Sequence, residues 1–146
     1  MYSFPVLSLE EALSCIPPPV TYSPKCTKSK TTTKVNSDPP TSVKLWGDFF
    51  EQVNSFRFDQ QPRFERPRFD DRFVVVNEGV VRNAINFNIC MVLNDLTGSD
   101  YEYTMRQTDT PDVPDFTCHY LVESLILVIE AKRKHVLEKI GEQSFP

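Results

Sequence analysis

Apolar positions along this chain follow two periodicities. In "NEGVVRNAINFNICMVLNDLTG" Val81, Ile85, Ile89, Val92 and Leu96 recur at helical spacing and form one apolar face. Asn77 stands where an N-cap belongs and Gly98 where a helix stops, so the pattern predicts one helix between them. Further on, Phe116 to Val122 and Leu125 to Ala131 are rich in aromatic and β-branched residues and are separated by Glu123-Ser124, which predicts a β-hairpin. Before it, "YEYTMRQ" alternates as a strand does, and the Pro/Asp-rich "TDTPDVP" reads as a connection.

Upstream the pattern is weaker. Ser8 and Glu11 have capping-box spacing before a short helix that three consecutive prolines must end. From Pro17 to Thr41 the chain turns to Pro, Ser, Thr and Lys, with too little apolar surface to offset the entropy of ordering, and is expected to be a linker or tail. In "SVKLWGDFFEQVNSF" Trp46, Phe49, Phe50 and Val53 predict a helix behind a Ser42 cap, its aromatic stripe packing on the domain that follows. The segment "FRFDQQPRFERPRFDDRF" interleaves five arginines with phenylalanines, and its prolines argue against a regular element. Asp59, Glu65, Asp70 and Asp71 offset most of its positive charge, which favours an extended, ion-paired strap over a nucleic-acid arm.

Composition changes this picture in three places. With 146 residues, 40% apolar and 25% charged, the chain can bury a core of ordinary size. A formal net charge of −4 provides no global basic field, so any nucleic-acid contact must come from a local patch. The four cysteines are widely spaced and the two histidines share no ligand spacing, which excludes a zinc-finger pattern and fits a reduced, intracellular chain in nucleus or cytoplasm. The N-terminal stretch does not read as a signal peptide, and no apolar run is long enough to span a bilayer, so no membrane partner is expected. Lysine-rich "KCTKSKTTTK" is the one hint of nuclear import.

The candidate chemistry sits on the predicted hairpin. A two-residue loop sets Asp115 opposite Lys132; a four-residue loop sets it opposite Glu130. Any even loop leaves Asp115, Glu130 and Lys132 on one sheet face while Ala131 points away. Two acids and a lysine so placed suit metal-dependent phosphodiester hydrolysis. The carboxylates of Asp115 and Glu130, with the Ala131 carbonyl, are hard oxygen donors for Mg²⁺ or Mn²⁺, and Lys132 orients water or offsets charge on the phosphate. Glu78 either faces the core one helical repeat from Ile85 and completes the site, or serves only the helix dipole at its first turn.

Pro114-Asp115, Glu130-Ala131-Lys132 and the upstream helix carrying Glu78 together resemble the PD-(D/E)xK nuclease superfamily, over about Val76 to the C-terminus. The wording "LILVIEAKRKHVLEKIGEQ" is similar to crinkler-type fungal nuclease-like modules. The resemblance implies an α/β fold with a restriction-endonuclease-like core in the order α-β-β-β-α and a central mixed sheet, Mg²⁺ (or Mn²⁺) in the site, and DNA or RNA as substrate. It also implies that Gln143, in "IGEQ", joins the site. The expected organisation is a tail with a short helix over 1–41, a helix and Phe/Arg strap over 42–75, and a nuclease-like core, incomplete at its C-terminal end, over 76–146. The alternative is an inactive nuclease-like binding module or a truncated fragment.

Overall fold

The computed structural model describes residues 5–26, 41–106 and 114–132. Its strands are β1 (Val6–Leu7), β2 (Thr21–Tyr22), β3 (Phe64–Glu65), β4 (Val74–Val75), β5 (Tyr101–Met105), β6 (Phe116–Tyr120) and β7 (Ser124–Ile129). Its α-helices are α1 (Leu9–Leu13), α2 (Phe49–Ser55), α3 (Glu78–Ile85) and α4 (Met91–Thr97). The fold is mixed α/β, with small sheets and short helices, and divides into two units.

One unit draws on residues 1–16 and 35–67. There α1 starts at the capping box legible in the sequence: the Ser8 hydroxyl accepts the Glu11 N–H at 3.2 Å, and Glu11 accepts the Ser8 N–H at 3.4 Å. Leu9 and Ala12 are its buried face, and β1 pairs antiparallel with β3. Helix α2 does not begin at Ser42. It starts after Gly47 and Asp48, since glycine is a poor helix interior and the chain turns there. Trp46, Phe49, Phe50 and Val53 are exposed, and the aromatics pack edge-on against one another, with centroids 5.1 Å apart for Trp46 and Phe49.

The other unit draws on residues 17–34 and 68–146. Thr21 and Tyr22, within the segment that composition assigns to a linker, form β2, which pairs in parallel with β4. Asn77 caps α3 by accepting the Val80 N–H at 3.2 Å, and Gly98 ends α4 with φ at 75°. Both ends therefore lie where the sequence puts them, but the interior differs. Asn86–Cys90 forms a π turn, which inserts a residue and rotates the face, so Cys90 is buried where the periodicity predicts Ile89, now exposed. The same turn buries Asn88, whose side-chain amide accepts the Asp70 N–H at 2.8 Å and donates to the Asp70 carbonyl at 2.9 Å.

Strands β5, β6 and β7 form a three-stranded sheet in that order, antiparallel throughout, rather than the mixed sheet expected. Phe116, Cys90 and Ala131 are its buried centre, with Val81, Ile85, Tyr103, Met105 and Ile129 packed against them. Helix and sheet thus share one core at the end of the sheet where β6 begins. Burial pushes the Cys90 thiol up to about 11, with neighbouring Cys118 adding to the effect, so Cys90 is a packing residue and not a nucleophile.

Candidate functional site

The hairpin fixes where the charges fall. Its loop is neither two nor four residues: Leu121, Val122 and Glu123 connect Tyr120 to Ser124. An odd loop alone would flip one strand's faces, but a bulge between Cys118 and His119 adds a residue on β7 and restores the parity. Phe116 then pairs with Ile129, and one step outward Asp115 lies level with Glu130. That is the pairing of the four-residue alternative, reached by another route. Alternation turns the partly buried Ile129 and the buried Ala131 toward the core and sets Glu130 and Lys132 on the other side.

Asp115 is held from three directions. Its main-chain carbonyl accepts the Arg106 N–H at 2.7 Å. Its Oδ2 accepts the Ala131 N–H at 2.8 Å, a bond that also fastens the outgoing end of β7. Its Oδ1 lies 2.8 Å from Nε of Arg82, with side chains 14% and 27% exposed respectively. That Nε is buried and makes no hydrogen bond, so the short contact is a charge attraction without an aligned N–H. Nη2 of Arg82 instead donates to the Arg106 carbonyl at 2.6 Å, and Nε of Arg106 donates to the Thr117 hydroxyl at 3.1 Å.

Across the strand end, Nζ of Lys132 donates to Oε1 of Glu130 at 2.6 Å. Burial works to lower the Lys132 pKa, yet the outcome is a rise above the ordinary value, because the Glu130 hydrogen bond and the charges of Glu130, Glu78 and Asp115 outweigh it. Lys132 therefore stays an ammonium at neutral pH. It can orient or neutralise an anion, and it is unsuited to accept a proton. Glu78, half-buried in the first turn of α3, is one of the acids whose charge favours the ammonium form of Lys132.

Glu78, Asp115, Glu130, Ala131 and Lys132 are thus gathered around one end of the sheet, while Gln143 lies outside the described residues. Among the described residues no three His, Cys, Asp or Glu side chains are grouped to cage a metal ion. The donors suit a hard cation in kind, being carboxylate and carbonyl oxygens. Mg²⁺ is commonly held by one or two carboxylates with water and phosphate completing its shell, and here Asp115 is paired with Arg82 and Glu130 with Lys132. Sequence reasoning missed Arg82 and Arg106. Arg82 had a usable signal, since it lies one helical turn after Glu78 on α3 and shares its side of the helix.

No helix among the described residues is long and apolar enough to cross a membrane. Set against family models, curated proteins and solved structures, the chain finds no match.

Proposed function

We propose that this chain carries a PD-(D/E)xK-type, restriction-endonuclease-like domain that hydrolyses phosphodiester bonds in DNA or RNA with Mg²⁺ or Mn²⁺, and that it meets this substrate in nucleus or cytoplasm. The observation that carries the reading is the meeting of Asp115, Glu130 and Lys132 at one end of the sheet, where Asp115 accepts the Ala131 N–H at 2.8 Å and Glu130 accepts the Lys132 ammonium at 2.6 Å. A helical segment followed by three strands, with Asp115 and Glu130 level at the sheet end, supports the fold assignment.

In this reading Asp115, Glu130 and the Ala131 carbonyl hold the cation, which supplies charge neutralisation and a more acidic water when bound. Asp115 is oriented for this by the Ala131 N–H, which fixes its carboxylate on the sheet end. Lys132, kept protonated, holds a phosphate oxygen and offsets the charge that develops on it. Glu78 contributes negative potential from the helix and keeps Lys132 charged.

The test is cleavage of end-labelled DNA and RNA by the purified chain. Turnover with Mg²⁺ or Mn²⁺ should be lost on adding EDTA and in Lys132→Ala. Retained turnover in a folded Lys132→Ala protein overturns the assignment. A second reading, a nuclease-like scaffold that binds nucleic acid without cutting it, is favoured by the Arg82 guanidinium resting against Asp115. It gives retention of labelled strands, with no cleavage under any metal condition.

A further inference from the structure

Arg82 stands where a cation on Asp115 would compete with it. Its Nε is 2.8 Å from Oδ1 of Asp115, so the carboxylate cannot accept a divalent ion on that side without the guanidinium feeling the added positive charge. The contact lacks the features of a purely structural bridge. Arginine–carboxylate pairs that serve packing are commonly bidentate and hydrogen-bonded, whereas here the buried Nε–H is unaligned and unsatisfied.

Each partner also has a second anchor. Arg82 is secured through Nη2 to the Arg106 carbonyl, and Asp115 through Oδ2 to the Ala131 N–H. The contact between them can therefore open without either group losing its place. Glu78, one helical turn earlier on α3, offers the released guanidinium another carboxylate at a spacing that favours pairing.

We infer that Arg82 is an internal counter-ion of Asp115 that a divalent cation displaces, so that Arg82 sets the affinity of the site for metal. The inference rests on the assignment of Asp115 as a metal ligand. At equal separation a doubly charged ion attracts a carboxylate about twice as strongly as a guanidinium does, an attraction set against the cost of dehydrating the ion. Arg82 is a positioning residue here: it holds the acid in register while the site is empty of cation.

The experiment is calorimetric titration of the full chain with Mn²⁺, comparing the unaltered protein with Arg82→Gln, Arg82→Lys and Asp115→Asn. Arg82→Gln removes the competing charge at similar size and should bind Mn²⁺ about tenfold tighter, a coupling of the size seen between charges in contact. Arg82→Lys keeps the charge and should stay near the unaltered value, while Asp115→Asn should bind far more weakly. Equal or weaker Mn²⁺ binding by Arg82→Gln, with Asp115→Asn impaired, overturns the inference and leaves the metal assignment standing. Absence of Mn²⁺ binding in the unaltered protein and in Arg82→Gln overturns both. Should Arg82→Gln fail to fold, the Arg82 Nε–H resonance of the unaltered protein decides. It should move on addition of Mg²⁺, and an unmoved resonance during saturable Mg²⁺ binding overturns the inference.

Discussion

The ion pairs of the Phe/Arg strap and those at the end of the three-stranded sheet are built from the same residue types and differ in what the fold contributes to them. Arg57 with Asp59, and Arg72 with Asp70, each join residues two apart at 3.2 Å, with both arginines largely in solvent. Their partners are close in any conformation, folded or not, so the difference between the two states is small. Asp115 and Arg82 meet only because α3 packs beside the start of β6, and both are largely removed from water. Glu130 and Lys132 lie between these extremes: also two apart, but just past the end of β7, where Glu78 and Asp115 from elsewhere in the fold influence the Lys132 charge. A local pair follows from sequence alone, whereas a tertiary pair reports the fold and is lost with it.

The largest effect should come from Asp115→Ala. It takes the acceptor from the Ala131 N–H and leaves the Arg82 guanidinium without its counter-charge in a mostly buried position. Breaking a buried pair from one side costs about 3 to 5 kcal/mol, and partial exposure reduces that here to about 2 to 3 kcal/mol, measurable as a lower urea midpoint. Asp115→Asn keeps an acceptor for Ala131 and should lose less. If Asp115→Asn is as stable as the unaltered protein, the charge on Asp115 contributes nothing, and the site pair is no different in kind from those of the strap.

Lys132 supplies the intermediate case, and its direction with pH can be worked out. Its folded pKa lies above the ordinary value of 10.5, so the charged form is favoured in the folded protein. The stability this contributes is fully present below the ordinary value and disappears as the pH climbs through the folded one. Lys132→Met should therefore lower the melting temperature at about pH 8, and the gap from the unaltered protein should narrow above about pH 10.5. Comparing the two proteins at each pH cancels the other groups that titrate in alkali, Cys90 among them. A gap that widens with pH would mean that burial, and not the surrounding acids, governs Lys132.

How far the sequence reveals these features depends on whether the cause is local. The capping box at Ser8 and Glu11, the Asn77 cap and the Gly98 stop are readable because a few neighbouring side chains and main-chain groups decide them. The hairpin is readable as a pair of apolar runs, but its turn is not. Leu121 and Val122 have φ of 47° and 70°, a region that glycine or asparagine ordinarily announces, and neither residue type gives any such signal. The compensating bulge is equally silent, so the convergence of Asp115 with Glu130 follows from the alternation while the register could not be fixed in advance. The π turn that buries Cys90 and Asn88 breaks the helical period itself, and periodicity cannot report its own interruption. Arg82 reads as a solvent-facing helix residue until the packing of α3 against β6 brings Asp115 to it. The central mixed sheet is a resemblance-borne expectation of another kind, and the described strands β5 to β7 are antiparallel.

The smallest effect tests the other side of the comparison. Arg57→Ala and Arg72→Ala each remove one exposed pair whose members remain hydrated when separated. Neither substitution should shift the melting temperature, and raising the salt to about 0.5 M, where the screening length falls to a few ångströms, should leave the unaltered protein equally indifferent at these positions. The attraction these pairs do have is visible in their titration: the Arg57 guanidinium holds Asp59 below its ordinary carboxylate value, and Arg72 does the same for Asp70. That effect requires no tertiary contact and persists wherever the chain keeps the two residues together. If the strap touches a phosphate backbone, the same substitutions should weaken nucleic-acid binding and flatten its salt dependence by about one counter-ion each, still without moving the melting point. A drop in melting temperature as large as that of Asp115→Ala would show instead that the strap pairs are tertiary contacts, and the distinction between local and fold-made ion pairs in this protein would not hold.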